Sequence, residues 1–354
     1  MSKHQPPGKL GDPQLELAAD PRLDPRLAAL ISAMPGLAGS SSTPSFDSSV
    51  EDALAYCTAV EAAGREANEM MLAGLPDFPT VSTSTETIKG VDGNDITLFV
   101  HQPKDRSGPI PCVVHLHGGG MVVMSAKNPG FILLRNSLAA MGMVVIGVEF
   151  RNGGGELGPH PFPAGLNDCT SALQWADEQR VNIDISKIVV AGEAGGGNLS
   201  LATALKAKQD STLKRIDGVY GMCPYISGAY AEQPAQLPSL VENDGYILDA
   251  QMMAAMVKAY DPQQDHRTDP LAWPYHASTS ELAGLPPHVI AVNELDPLRD
   301  EGLAYYRKLL AAGVPTVAKT IHGTPHAGDQ LFGAVIPDVF ADTLRSIHGF
   351  ATSL

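Results

Sequence analysis

The sequence predicts an α/β fold: a mostly parallel twisted sheet with helices on both faces and a helical cap. Three observations carry this expectation. Apolar runs of strand length recur at residues 110–118, 142–150, 187–193, 216–225 and 286–294, with a weaker last run at 316–323. Segments of helical period stand between most of them, at 131–142, 165–180, 198–209 and 302–313. A chain of 354 residues with 44% hydrophobic content can bury a sizeable core around such a sheet. Runs without polar alternation imply strands covered on both faces, and their alternation with helices implies parallel order.

Taken in order, residues 1 to about 50 are rich in Pro, Ser and Gly. Within them, residues 24–34 place apolar side chains at three- and four-residue steps, which predicts a short helix that packs on something else. Residues 52–71 predict a second amphipathic helix. From Ser84 to Gln102 the period drops to two around the turn sequence Val91-Asp92-Gly93-Asn94-Asp95, which predicts a hairpin with one wet face leading into the parallel strands. The stretch from roughly 225 to 275 breaks the strand and helix rhythm and is long enough for a helical insertion. The expected organisation is residues 1–75 as an N-terminal arm and helices forming part of the cap, 76–224 as the first part of the core, 225–275 as a cap insertion and 276–354 as the second part of the core.

Composition excludes several classes. A formal net charge of −15 with no long basic run repels polyanions, so nucleic acid is not an expected partner. Cys57, Cys112, Cys169 and Cys223 are scattered, lack any C-x-x-C pairing and sit mostly in apolar surroundings, which predicts buried free thiols and a reducing compartment. The first residues lack the apolar core of a signal peptide and no later stretch is long enough to span a membrane, so a soluble cytoplasmic protein is expected. Gly153 to Gly158 matches G-x-G-x-x-G after a strand, but Pro159, Pro161 and Pro163 follow where a phosphate-binding helix should begin, and the segment is read as a loop.

In open α/β sheets, ligands collect at the carboxyl ends of the strands. Four strand ends carry residues of one chemistry. The run 110–116 is followed by His117-Gly118-Gly119-Gly120, three glycines whose N–H groups can approach an oxygen that gains negative charge. The run 187–191 is followed by Gly192-Glu193-Ala194-Gly195-Gly196, the frame of a nucleophile elbow, G-x-S-x-G, with alanine where serine is expected. Asp296 follows the run 286–294, and His326 stands in the loop after the last run. Elbow, then acid, then histidine is the chain order of α/β-hydrolases.

Each assignment has a rival. Asp300 is better explained by the free N–H groups of the helix that follows Asp296, and Asp296 sits directly after its strand. His322 ends the last apolar run and reads as a packed or solvated residue, whereas His326 in the loop beyond can reach a neighbouring strand end. His117 is expected to shape the glycine loop by hydrogen bonding. The Asn198-Leu199-Ser200 sequon falls inside a helix and implies nothing in a cytoplasmic protein. Leu248, Met252, Met253 and Met256 fit a lid helix over an apolar pocket, although ordinary core packing explains them nearly as well.

On the motifs HLHGGGMV (115–122), GEAGGGNLS (192–200), GLPPHVIAVNELDPLRDEG (284–302) and HGTPHAG (322–328), the chain resembles the hormone-sensitive-lipase family of α/β-hydrolases, the bacterial family IV esterases, from about residue 80 to its end. The resemblance implies an α/β-hydrolase fold and a carboxylesterase with a Ser-Asp-His triad that acts through an acyl-enzyme. Its oxyanion donors fall on the backbone N–H groups of Gly119, Gly120 and Gly195, its acid on Asp296, its base on His326 and its nucleophile on Ala194. It implies a small-molecule ester as substrate and no metal or organic cofactor; lactone opening would use the same groups. Relatives of this kind often assemble, so a homo-oligomer stays open.

Alanine has no hydroxyl to deprotonate, and two readings follow. In one, an esterase carries a Ser→Ala replacement at its nucleophile. In the other, the chain is a non-catalytic small-molecule-binding protein on a hydrolase fold, as are the plant gibberellin receptors, which resemble this family but depart from it at the base. The presence of Asp296 and His326, which a pure binder does not need, favours the first.

Overall fold

A computed structural model describes residues 6–34 and 43–354; residues 1–5 and 35–42 of the expected arm lie outside the described residues. The first helix, α1 (Pro25–Ala33), forms where the apolar period predicts it, with Asp24 capping the Arg26 N–H and proline in its first turn. It buries Leu27 and Ile31, which pack with Tyr246, Leu295 and Ile336. The arm is thus seated on much later parts of the chain. Helix α2 (Val50–Ala73) starts from a capping box of Ser49 and Asp52, and its buried residues, Ala53, Tyr56 and Cys57, all lie in its first half.

The hairpin forms from β1 (Val81–Lys89) and β2 (Asp95–Pro103), closed at Lys89 opposite Asp95. The expectation of one wet face holds for β2, which buries Ile96, Leu98 and Val100 in alternation. It fails for β1, exposed along most of its length, because β1 is one of the two sheet edges and has a neighbour on one side only.

The remaining strands are β3 (Ile110–Leu116), β4 (Val144–Glu149), β5 (Ile185–Glu193), β6 (Gly218–Met222), β7 (His288–Leu295) and β8 (Thr316–Pro325). Eight strands lie in the order β1-β2-β4-β3-β5-β6-β7-β8; β2 is antiparallel to both neighbours, and β4 through β8 pair in parallel. The chain steps outward from β3 to β4 and returns to β5 on the other side of β3. This reversal is the topological switch point, where loops leaving adjacent strand ends part and open a crevice.

Alternation within each strand sends neighbouring residues to opposite layers. Val114, Ile146 and Val190 face a core completed by Leu173 of α4 (Ala164–Glu178) and Leu205 of α5 (Gly195–Gln209). Val113, Val145 and Val189 face a second core completed by Leu134 and Leu138 of α3 (Pro129–Ala140). Each such side chain fully buried contributes about 1.5–3 kcal/mol. The alternation of strands and helices read from the sequence is therefore matched by an α/β-hydrolase arrangement with covered faces.

Helices α6 (Ser239–Glu242) and α7 (Ala250–Tyr260) form in the segment that broke the rhythm, and α7 packs against α2 through Ala53, Tyr56 and Ala255. The chain closes with α8 (Thr279–Leu282), α9 (Arg299–Ala311), α10 (Gly328–Leu331) and α11 (Pro337–Ser353). All four cysteines are buried and free. Among the described residues, no helix is long and apolar enough to cross a membrane.

Candidate active site

The elbow forms because β5 and α5 meet across a single residue. Ala194 takes φ 53 and ψ −114, a sparsely populated conformation for a side-chain-bearing residue that costs on the order of 1–3 kcal/mol. The surroundings hold it there: its N–H donates to Met222 O, and its carbonyl accepts from the N–H groups of Tyr225 and Asn198. Gly196 explains the glycines of the frame, since a Cβ there would lie 1.8 Å from Leu116 O. The helix can start against the end of β3 only without a side chain at that point. Asn198 is fully buried, and its side-chain amide donates to Tyr225 O and Ala272 O, a packing role within α5.

The glycine loop after β3 lies alongside the elbow. Gly119 has φ 99, and a Cβ on it would meet Val123 O at 2.2 Å. Among the described residues, the N–H groups of Gly119, Gly120 and Gly195 meet no protein acceptor, which leaves them free for an external oxygen. Gly118 differs: its N–H donates to Glu193 Oε1 at 2.7 Å. The other Glu193 oxygen pairs with His115 Nε2 at 3.0 Å. Burial would raise the Glu193 pKa, yet His115 and the Gly118 N–H hold it below the ordinary value. His117 bonds Gly118 O and stacks on Phe150, as a loop-shaping residue would; burial drives its pKa down to about 4. The Gly153–Gly158 segment is a loop, and the Gly153 and Gly154 N–H groups brace Met121 O and Val122 O.

On the far side, His326 Nδ1 meets Asp296 Oδ2 at 2.8 Å, and both residues are buried. The second Asp296 oxygen accepts from Leu298 N–H. Burial disfavours the charged imidazole, but the Asp296 carboxylate outweighs it and raises the His326 pKa well above the ordinary histidine value. Two details differ from the sequence reading. Strand β8 runs on to Pro325, so His322 lies inside it; its side chain is 77% exposed and paired with Glu294. Asp300 lies in the first turn of α9 but accepts from Ser239 N–H, while the Ser239 hydroxyl accepts from Asp300 N–H, so it ties α9 to α6 instead of capping its own helix.

Ala194, His326 and Gly118 to Gly120 line one cavity of about 180 Å³. Leu248, Met252, Met253 and Met256 line it as well, joined by Ile247, Val60 and Tyr225. Asp296 stands behind His326, outside the lining.

Three contributors carried no signal in the sequence. Glu193 occupies the variable position of the elbow frame, which the motif leaves unspecified. Asn293, inside β7, accepts from Ala327 N–H and donates to Thr324 and Asp329, which shapes the turn that presents His326. Cys223, at the end of β6, lies beside His326 and Asp296. Each acts on residues far away in the chain, which no local pattern records.

A family model described as the alpha/beta hydrolase fold matches residues 113–329. Among solved structures, the chain is similar to brefeldin A esterase, described as a bacterial homologue of human hormone sensitive lipase, at 45% identity and a TM-score of 0.91, covering 98% of each chain. It is similar to a Ser-to-Ala mutant of esterase Est22 at 35% identity and a TM-score of 0.85, covering 95% of this chain and 99% of that one. Carboxylesterase NlhH of Mycobacterium tuberculosis is 31% identical over 285 residues, 78% of this chain and 84% of that protein.

Proposed function

The chain belongs to the α/β-hydrolase family, in its hormone-sensitive-lipase branch, and from that premise we propose that its serine-bearing form is a carboxylic-ester hydrolase. The observation that carries this reading is the buried His326–Asp296 pair, whose histidine lines one cavity with the strained elbow at Ala194 and with Gly119 and Gly120, whose backbone N–H groups, like that of Gly195 beside the elbow, meet no protein acceptor among the described residues.

With a serine at position 194, its hydroxyl oxygen attacks the ester carbonyl carbon while His326 takes the hydroxyl proton. The carbonyl π electrons move to oxygen, and the Gly119, Gly120 and Gly195 N–H groups bind that oxyanion. When the tetrahedral intermediate collapses, the alkoxide leaves with the proton that His326 returns, and an acyl-enzyme remains. Water then repeats the cycle on the acyl-enzyme and releases the acid. Asp296 holds the imidazole tautomer with Nδ1–H toward itself and stabilises the imidazolium; it keeps its own charge throughout. The apolar lining suits short or medium acyl chains, or a bulky apolar ester, and a lactone would open by the same steps. We place α1, α2 and the 225–275 segment in the cap over this cavity.

As it stands, Ala194 offers no oxygen, and this chain is inactive. Deleting the nucleophile costs on the order of a million-fold in turnover in the subtilisin case. Ala194 also favours a second reading, a small-molecule binder that keeps ligand without turnover. Hydrolysis of p-nitrophenyl esters from acetate upward by this chain and by its Ala194→Ser form separates the two. Turnover by the serine form alone supports the esterase; two inert but folded proteins support the binder.

A further inference from the structure

We infer that Cys223, His326 and Asp296 form a binding site for a soft divalent cation of the zinc type, and that occupation of this site shuts down the histidine. The Cys223 thiol sulfur, a ring nitrogen of His326 and a carboxylate oxygen of Asp296 all lie within 4.8 Å of one another, and no other such trio is found among the described residues. Zinc bonds of about 2.0–2.3 Å set tetrahedral ligand atoms roughly 3.3–3.8 Å apart; that spacing lies between the 2.8 Å of the His326–Asp296 hydrogen bond and the 4.8 Å outer limit of the trio, so ligation replaces that hydrogen bond. One sulfur, one nitrogen and one oxygen make a donor set that zinc accepts and that calcium or magnesium, which prefer oxygen throughout, does not.

The fold puts this trio together from three strand ends. Cys223 follows β6 with φ 36, its N–H donating to Ala291 O, while Asp296 follows β7 and His326 follows β8. Cys223 does not line the cavity, so it is no stand-in for the missing nucleophile. His326 does line it, so an ion reaches the trio, which lies behind the ring with Asp296 and Cys223 outside the lining, by way of His326, and the fourth coordination position is left for water. On binding, the thiol releases its proton to solvent, the sulfur and imidazole lone pairs pass to the metal, and no electron transfer occurs. A histidine so held cannot shuttle a proton.

Binding is tested on the chain with Ala194, apart from any activity. Zn²⁺ is measured in competition with a chromophoric chelator, and Cd²⁺ by its ultraviolet thiolate charge-transfer band. One ion per chain at micromolar affinity is expected, weakened at least tenfold in Cys223→Ser, which also loses the band, and unchanged in His322→Gln. Absence of binding, or equal binding by Cys223→Ser, overturns the site. Should Cys223→Ser fail to fold, the Cd²⁺ band of the unsubstituted chain decides alone. The inhibitory half rests on the proposed esterase activity: Zn²⁺ should block the Ala194→Ser form reversibly by chelator and spare Ala194→Ser combined with Cys223→Ser. An active serine form that binds Zn²⁺ without inhibition overturns that half. Metal binding through Cys223 beside an inert serine form keeps the site and removes the esterase reading.

Discussion

The Glu193 carboxylate, one residue before the strained elbow, accepts the Gly118 N–H at 2.7 Å and so ties the start of the glycine loop to the place where the nucleophile would stand. Two strand ends 75 residues apart in sequence are held as one unit by a side chain that belongs to neither the proposed triad nor the proposed oxyanion donors. Glu193→Gln, made in the Ala194→Ser background, keeps an acceptor for Gly118 but loses the carboxylate that meets His115. The expected result is a fall in kcat of about tenfold or more with KM little changed, because misaligned oxyanion donors matter only when charge develops. Glu193→Ala should in addition lower stability by about 1–3 kcal/mol, seen in denaturant unfolding, since it leaves the buried Gly118 N–H without its acceptor.

Asp296→Asn in the same background should lower kcat by roughly 10³–10⁴-fold, the scale of the equivalent change in the serine-protease triad. It should also move the acid limb of kcat/KM to lower pH, because the carboxylate is what raises the His326 pKa. For stability the sign is fixed the same way: the folded value lies above the unfolded one, about 6.5. The contribution of the pair is fully present below that pH and is lost as pH rises through the raised value. A pH profile with an unmoved acid limb would argue that Asp296 does not face the base.

Glu301 is buried, with one oxygen accepting from Ile226 N–H and Tyr230 O–H. Burial pushes its pKa up to about 7 from 4.5. The folded state therefore holds a proton that the unfolded state has released, and stability declines between pH 4.5 and 7, by at most about 1.4 kcal/mol per pH unit from this group. Glu301→Gln should flatten that decline in a series of urea titrations across the window; an unchanged slope would show that Glu301 is ionised in the fold.

Gly196→Ala tests the elbow as packing. A Cβ placed 1.8 Å from Leu116 O cannot be accommodated by a rotamer change, since the obstacle is backbone. Loss of more than about 4 kcal/mol, or failure to fold, is expected in thermal unfolding, beyond the range of ordinary substitutions. A near-native melting temperature would mean that β3 and α5 can separate.

Much of this molecule is written locally. Apolar runs of strand length, helical periods between them and glycine-rich breaks gave the order of elements, the switch from antiparallel to parallel pairing and the strand ends at which Gly119, Gly120, Ala194, Asp296 and His326 stand, because each of these follows from periodicity or from residues adjacent in the chain. The end of β8 was less legible: Thr316 to Pro325 alternates too weakly to mark its limit, so His322 read as terminal when it is interior. That β1 is an edge strand was also hidden, since β1 and β2 have similar patterns and only the sheet order decides which of them lacks a second neighbour.

What the tertiary structure alone decided is which distant side chains share a hydrogen bond or a wall. That Glu193 holds Gly118, that Asn293 shapes the turn at His326, that α1 seats on Ile336 and that Cys223 lies beside the histidine all depend on strands brought side by side from remote parts of the chain. Such contacts have no period and no fixed spacing. They exist only once the sheet has formed, whereas the residues that turn, cap or alternate leave their trace in the sequence itself.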